Sequence, residues 1–277
     1  MSETRVPLAG VIGSPIAHSK SPRLHGHWLR TLGIRGHYIP MEIMPDDLES
    51  ALRMLPKLGF VGLNVTIPYK EKALEIADLV TDRATLIGAA NTLIFRPDGQ
   101  IHADNTDGYG FIQNIRQTLP DWKADAGTAV VLGAGGAARA VLASLLDAGT
   151  QRIILSNRTR IRADNLKDEF GKRVEVVDWV HVGNAIEDAV LLVNTTSLGM
   201  VGKAEMRIPL DGLRPGTVVS DLVYTPMMTK LLQTAKDKDC RIVDGVGMLL
   251  HQAVPGFERW FGVRPEVTED LRRVVLG

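Results

Sequence analysis

The chain has 277 residues, 45% of them hydrophobic, with 32 Lys plus Arg set against 32 Asp plus Glu for a formal net charge of zero. That length suits two domains of ordinary size, and the balanced charge excludes the broad basic field that draws in nucleic acid or an anionic membrane; any anion site must be local. No apolar run approaches the roughly 18 residues of a membrane-spanning helix, and the opening MSETRVPLAGVIG carries no cationic leader, so a cytoplasmic location is expected.

Short β-rich runs then alternate with helical patterns: Leu8 to Ile12, a helix from Pro22 to Leu32, His37 to Glu42, a helix from Asp46 to Leu55, and Val61 to Val65. Such alternation predicts βαβ units and a largely parallel sheet. Pro45-Asp46-Asp47 places a proline and two acids where a helix dipole favours them. Thr92–Phe95 and Gln100–Ala103 flank Arg96-Pro97-Asp98-Gly99 and read as a hairpin that interrupts the rhythm. After an amphipathic segment from Tyr109 to Leu119, the polar stretch Asp121 to Gly127 is the candidate hinge.

A second series opens at Thr128, with strands expected at Val130–Leu132, Ile153–Ser156, Val174–Val177, Ala189–Asn194, Thr217–Asp221 and Arg241–Asp244. The stretch from Ser197 to Arg214 is long for a loop in a compact domain, which marks it as a segment that lines a site or moves. Cys240 is the only cysteine, has no His or Asp spaced around it as metal ligands, and reads as a small packing residue; no metal is expected. Helical patterns from Met248 to Phe261 and Val267 to Val275 have no strand to follow them, so they are expected to complete the first domain.

Gly133-Ala134-Gly135-Gly136-Ala137-Ala138 fits G-x-G-x-x-A, follows the strand Val130-Val131-Leu132 and opens an Ala-rich helix. In that context Gly133 permits the tight turn, Gly135 lets backbone approach a pyrophosphate, and Ala138 allows close helix packing, while free helix N–H groups attract the anion. The next strand decides the cofactor. Where an NAD site normally ends in an acid for the ribose hydroxyl, Ser156 is followed by Asn157-Arg158-Thr159-Arg160-Ile161-Arg162, and guanidinium groups there favour a 2′-phosphate and hence NADP. Arg158 and then Arg162 are the phosphate candidates; Arg160 falls on a different helix face.

Polar residues also gather at or beyond the expected strand ends of the first half: Ser14, Ser19 and Ser21; Asn64, Thr66 and Lys70; Asn91 and Thr92; Asn105, Thr106 and Asp107. Ser21 before Pro22 reads as a helix N-cap. Taken together, these clusters converge on the end of a sheet where open α/β folds bind ligands, and their hydroxyls and amides suit a polyol or hydroxy acid. Hydride reduction of a carbonyl also needs a proton for its oxygen, and Lys70 and Asp107 are the charged candidates, with His18, His25 and His27 as competitors. His25 and His27 lie on different helix faces without metal-ligand spacing and read as structural or surface residues.

At this point the chain resembles the shikimate dehydrogenase family, through GSPIAHSKSP (13–22), NVTIPYKE (64–71), GAANT (88–92), DNTDGYG (104–110), GAGGAARA (133–140), NRT (157–159), NTTSLGM (194–200), DLVYTP (221–226) and DGVGMLLHQA (244–253). The resemblance implies two α/β domains: a substrate-binding catalytic domain at 1–108 completed by helices at 246–277, and a Rossmann NADP-binding domain at 109–245. It further implies reversible reduction of 3-dehydroshikimate to shikimate with NADPH, in aromatic amino acid and chorismate biosynthesis, by a monomer or homodimer acting on a small molecule. Lys70 and Asp107 become the catalytic pair. Ser19, Ser21, Asn64, Thr66, Asn91, Tyr224 and Gln252 join them around the substrate, the serines and Tyr224 holding its carboxylate. Around the cofactor stand Gly133 to Ala137, Asn157, Arg158, Thr159, Arg162, Asp82, Leu222 and Gly245, of which Asp82 also suits a helix cap and Leu222 acts through backbone or packing. One departure is visible: the family's first motif commonly ends in His-Asn, and this chain has His25-Gly26. An NAD-preferring quinate/shikimate dehydrogenase and a non-catalytic nucleotide-sensing module are the alternatives.

Overall fold

The alternation of short strands and helices builds two separate six-stranded sheets in the computed structural model, which describes residues 6–277. Residues 1–5 of the N-terminal stretch scanned for a leader lie outside the described residues. Contacts divide the chain into one unit running to Thr106 and resuming at Leu250–Gly277, and a second unit, Asp107–Leu249. The boundaries expected from the sequence are 108/109 and 245/246.

The first unit runs β1 (Leu8–Gly13), α1 (Ser21–Thr31), β2 (His37–Glu42), α2 (Leu48–Met54), β3 (Phe60–Val65), α3 (Lys70–Ile76), β4 (Leu79–Val80), α4 (Asp82–Ile87), β5 (Thr92–Phe95) and β6 (Ile101–Asp104). Its strand order is β2-β1-β3-β5-β6-β4. β1 pairs in parallel with β2 and β3, and the β5–β6 hairpin attaches antiparallel to β3. Register places Asn64, Thr92 and Asp104 in one row across three strands. A polar row at that level is what positions the site.

Three features of this unit differ from the pattern expected of its sequence. Pro45–Asp47 forms a single 3-10 turn and the α-helix starts only at Leu48, because nothing caps the acids' turn into a regular helix. β4 and α4 were not anticipated: a two-residue strand is too short to show a period, although Thr81 caps α4 by accepting from Ala84 N at 3.3 Å and Gly88 closes it at φ 72°. Ser21 is the first residue of α1 rather than its cap; the cap position is Lys20, and Ser19 Oγ accepts from Ser21 N at 3.3 Å.

The second unit follows with α5 (Asp107–Thr118), β7 (Thr128–Leu132), α6 (Gly136–Asp147), β8 (Arg152–Ser156), α7 (Arg160–Phe170), β9 (Val174–Val176), α8 (Val182–Ile186), β10 (Ala189–Asn194), β11 (Val218–Asp221), α9 (Lys230–Asp237) and β12 (Arg241–Val243). All pairings in this sheet are parallel, in the order β12-β11-β10-β7-β8-β9. Parallel strands need helical crossovers on both faces, so both faces are apolar. Ala129 and Val131 pack with Phe111, Ile115, Val141 and Leu145 on one side, while Val130 and Leu132 pack with Val182, Ile186, Leu231 and Leu232 on the other. Between β10 and β11 the long segment from Thr195 to Thr217 contains neither helix nor strand. Cys240 is half-buried against the second of these clusters.

The closing helices are α10 (Gly245–His251), α11 (Ala253–Phe261) and α12 (Glu269–Leu276). α10 begins three residues before the expected Met248, because Asp244 Oδ1 accepts from Val246 N at 2.9 Å and starts the helix across two glycines that hide it from propensity. α11 locks into the first unit: Trp260 Nε1 donates to Leu93 O at 3.0 Å beside Gly62, where a Cβ would run into both the indole and that carbonyl. Gly62→Ala should therefore lower unfolding free energy by about 1–3 kcal/mol, the usual cost of overpacking, read from urea denaturation followed by tryptophan fluorescence. An unchanged midpoint would show that α11 does not approach β3 so closely.

Candidate active site

In the second unit, strand order reverses at β7, whose neighbours are β10 and β8, so the turn after Leu132 sits at a topological switch point. Gly133 takes φ +110°, and a Cβ there would stand 2.6 Å from Thr195 Oγ1 and 2.9 Å from Thr196 Cγ2. Only glycine fits. Gly135 and Gly136, by contrast, face open space, and Gly135 caps α6 without any side-chain bond. The helix N–H groups are thus left for a ligand, as an anion site requires. Gly133 N donates to Ser156 O at 2.8 Å, and Thr195 Oγ1 donates to Leu132 O at 2.7 Å, fixing the turn between its neighbours.

A cavity of about 190 Å³ opens at this turn, lined by Gly133, Ala134, Gly135, Asn157, Arg158, Arg162, Trp179 and the run Thr195–Leu198. Arg158 and Arg162 make no ion pair among the described residues, whereas Arg160 is engaged by Asp178 at 2.7 Å and Asp164 at 3.4 Å. Arg160 belongs to the protein's own ion pairs. Asn157 Nδ2 donates to Thr159 O at 2.8 Å and shapes the loop. Gly136, Ala137 and Thr159 stand beside the cavity in sequence without lining it. A glycine cradle with two unengaged guanidinium groups fits a dinucleotide bearing a 2′-phosphate. Trp179, Thr195 and Thr196 were not anticipated as lining residues; the polar strand end Asn194-Thr195-Thr196 was a usable signal, but Trp179 had none.

The remaining residues expected near a cofactor do not line this cavity. Leu222 is half-buried against the core, its N–H donating to Asn194 O at 3.0 Å, and a Cβ on Gly245 would collide with the Leu222–Val223 backbone. Glycine is needed there for packing. Beneath them the buried Asp221 is pushed up by burial, against bonds from Thr229 Oγ1 at 2.6 Å, Val223 N at 3.0 Å and Asn194 Nδ2 at 2.8 Å. Tyr224 follows β11 and is exposed. Asp107 opens α5. Asp82, in the first unit, is exposed in the first turn of α4, while Thr81 does the capping.

In the first unit the polar row is connected. Asn64 Nδ2 donates to Asn91 O at 3.1 Å and Thr92 Oγ1 at 3.3 Å. Asn91 Oδ1 accepts from Thr92 Oγ1 at 2.9 Å, Thr106 N at 2.9 Å and Thr106 Oγ1 at 3.1 Å, and Asn91 Nδ2 donates to Gln252 Oε1 at 3.3 Å. Asn64, Asn91 and Gln252, expected around the substrate, also bond to one another, which their sequence positions do not show. Lys70 begins α3, and its carbonyl accepts from Ala90 N at 2.8 Å, which ties it to the residue before Asn91. Thr66 N donates to Ile12 O at 2.9 Å, holding the NVTIPYK segment against β1; the Ile67–Pro68 peptide within it is cis. Asp104, pushed up by burial, is nevertheless held below the usual carboxylate range by Arg83, Thr81 Oγ1 and Asn105 N–H.

His25 is fully buried, stacked on Tyr38 with ring centroids 3.9 Å apart, and burial lowers its pKa to about 3 with the nearby Asn64 amide opposing. Neither ring nitrogen has a hydrogen bond of good geometry. It cannot serve as an acid at neutral pH. Among the described residues no cluster of His, Cys, Asp or Glu could hold a metal, and no helix is long and apolar enough to cross a membrane.

Fold and site together define a two-unit α/β protein of the nucleotide-dependent oxidoreductase class. Family models described as the shikimate dehydrogenase substrate binding domain, shikimate/quinate 5-dehydrogenase and the shikimate 5′-dehydrogenase C-terminal domain match residues 11–93, 115–208 and 245–276. The NADP(+) shikimate dehydrogenase of Ruegeria sp. (strain TM1040) is 64% identical over 276 residues, covering 100% of both chains. Among solved structures, the quinate dehydrogenase of Corynebacterium glutamicum in complex with NAD superposes with a TM-score of 0.90 at 31% identity, over 98% of this chain and 99% of that one. Shikimate 5-dehydrogenase of Thermus thermophilus, in complex with NADP(H) and shikimate, gives 0.86 at 34%, again over 98% and 99%. The chain belongs to the shikimate dehydrogenase family.

The buried neutral His25 carries a stability consequence. Its folded pKa lies below the unfolded value of 6.5, so the unfolded state binds more protons and stability falls as pH drops from about 6.5 toward about 3. The slope is about 1.4 kcal/mol per pH unit once the unfolded histidine is charged. Comparing urea midpoints at pH 7 and pH 5, His25→Phe should lose less stability than the parent; equal losses would mean that His25 is not buried neutral.

Proposed function

We propose that the chain is an NADP-dependent shikimate dehydrogenase, catalysing reversible reduction of 3-dehydroshikimate to shikimate. The observation that carries the cofactor choice is the cavity at the glycine turn, where Arg158 and Arg162 stand without carboxylate partners among the described residues. A ribose 2′-phosphate supplies the charge these groups lack, and an NAD ribose does not. Gly133 to Ala137 would take the pyrophosphate on the start of α6, with Asn157 and Thr159 shaping the ribose loop and Asp82, Leu222 and Gly245 contributing around it. Bound NADPH supplies the hydride.

The chain's own residues supply the rest. Reduction adds a hydride to the carbonyl carbon and a proton to its oxygen, and Lys70 is the group assigned to donate that proton, or to accept it in reverse, with Asp107 as its carboxylate partner. Ser19, Ser21 and Tyr224 are assigned to the substrate carboxylate through hydroxyl donors. Asn91 and Gln252, with Lys70 and Asp107, address the ring oxygens, and Asn64 and Thr66 belong to the same shell; Asn91 Nδ2 bonds to Gln252 Oε1, and Asn64 Nδ2 to the Asn91 backbone carbonyl. Action in the cytoplasm, as a monomer or homodimer in chorismate and aromatic amino acid biosynthesis, completes the reading.

Two measurements test it. Lys70→Ala should lower kcat for shikimate oxidation by about two to four orders of magnitude with modest change in KM, as for loss of a general acid or base; a variant retaining most of its turnover removes Lys70 from that role. Arg158→Ala should raise KM for NADP about 10- to 100-fold, the worth of a lost charge-assisted contact, while leaving NAD kinetics nearly unchanged. Equal loss with both cofactors, or turnover of quinate with NAD exceeding that of shikimate with NADP in the parent enzyme, overturns the NADP assignment.

A further inference from the structure

We propose that Tyr38 is a positioning residue of the substrate site, holding the Asn64 side-chain amide in the orientation that sets Asn91 and Gln252 toward the substrate; this rests on the reading of Asn91 and Gln252 as ring-oxygen ligands. Tyr38 lies on β2 and its hydroxyl donates to Asn64 Oδ1 at 2.7 Å, with both side chains buried. Donation from the phenol to Oδ1 and acceptance by the Asn91 carbonyl at Nδ2 together fix which way the amide faces. Asn64 Nδ2 is thereby turned toward Asn91 O and Thr92 Oγ1, at 3.1 and 3.3 Å. The Thr92 hydroxyl accepts that N–H on one lone pair and donates its own proton to Asn91 Oδ1 at 2.9 Å. Asn91 Oδ1, already an acceptor, leaves Asn91 Nδ2 to donate to Gln252 Oε1 at 3.3 Å. The donor direction thus runs one way along the chain of side chains from Tyr38 to Gln252.

Two further observations fix Tyr38 itself. His25 stacks on its ring at 3.9 Å with the planes 6° apart, and Trp260 lies 6.2 Å from it on a tilted plane, so the phenol has no room to swing. Burial pushes the phenol pKa up, opposed by the neighbouring Ser21 hydroxyl, which keeps the donor proton in place at any working pH. Tyr38 therefore stands between Ser21, assigned to the substrate carboxylate, and Asn64, which braces a ring-oxygen ligand, without being needed in contact with the substrate.

The test is a double-mutant cycle with Tyr38→Phe and Asn64→Ala, measured in the full chain with shikimate varied at saturating NADP and then NADP varied at saturating shikimate. Tyr38→Phe should raise KM for shikimate about tenfold, the worth of one hydrogen bond, and leave KM for NADP within about twofold. The double variant should match Asn64→Ala, because the hydroxyl acts only through that amide. Additive effects on KM, or a Tyr38→Phe shift below about twofold, overturn the proposal while the substrate reading stands. If Asn64→Ala does not fold by circular dichroism, the split between the two KM values in Tyr38→Phe decides by itself: a matching rise in both overturns it. A parent chain that forms no NADPH from shikimate overturns the reading of the site and this proposal with it.

Discussion

The Asn91 side-chain oxygen accepts from Thr92 Oγ1, Thr106 N and Thr106 Oγ1, at 2.9, 2.9 and 3.1 Å, and on that one acceptor hang the start of β5 and the residue that precedes α5. Asn91 N still pairs with the sheet, donating to Asp104 O at 3.1 Å, whereas Thr106 N, past the end of β6, is met by the Asn91 side chain instead. The backbone of Asn91 is held in turn by Asn64 Nδ2 and by Val65 N, at 3.1 and 2.9 Å. Amides and hydroxyls do this at the ends of three strands because each carries both donor and acceptor character and can be satisfied at either edge. The same bifunctional groups suit a polyol.

The second unit meets the corresponding demand differently. Where β7 ends, the chain turns so tightly that no side chain fits at Gly133, and the freed N–H groups of α6 are left to a ligand rather than to protein acceptors. Close by, Asn194 and Asp221 close the ends of β10 and β11 on each other, with Asn194 Nδ2 donating to Asp221 Oδ1 at 2.8 Å and Asn194 Oδ1 accepting from Thr196 N at 3.0 Å. In this sheet the end of β7 is left to an anion, while β10 and β11 are closed by their own side chains.

Much of this is legible in the order of the amino acids. The strand–glycine–helix sequence is readable because each of its parts has a local cause, and the absence of an acid after Ser156 is a fact of composition. Polar residues at strand ends are readable for the same reason, since apolar periodicity fixes where each strand stops. Partners are what cannot be read. Ser21 resembles a cap because cap rules consider only neighbours in sequence, yet Ser19 supplies the oxygen and Ser21 starts the helix. Arg160 differs from Arg158 by two positions, and, beside Asp164 one turn on, it meets Asp178, which the return of the chain brings to 2.7 Å. Tyr38 sits in HYIPME on a strand whose exposures alternate poorly, and nothing local distinguishes it from a core aromatic.

By itself, then, the sequence determined the fold class, the place of the dinucleotide turn, the charge available for a 2′-phosphate and the polar inventory of the substrate-side strand ends. Each follows from short-range rules: backbone freedom at glycine, the period of apolar residues, the chemistry of a side chain at a known offset from a strand end. The tertiary structure alone decided which arginines remain without carboxylate partners among the described residues, which amides bond to one another, that Trp179 walls the cavity, and that His25 is neutral with its ring against Tyr38. Those outcomes depend on which groups are buried together and which carboxylates return to them, and burial and pairing are set by contacts between residues far apart in the chain.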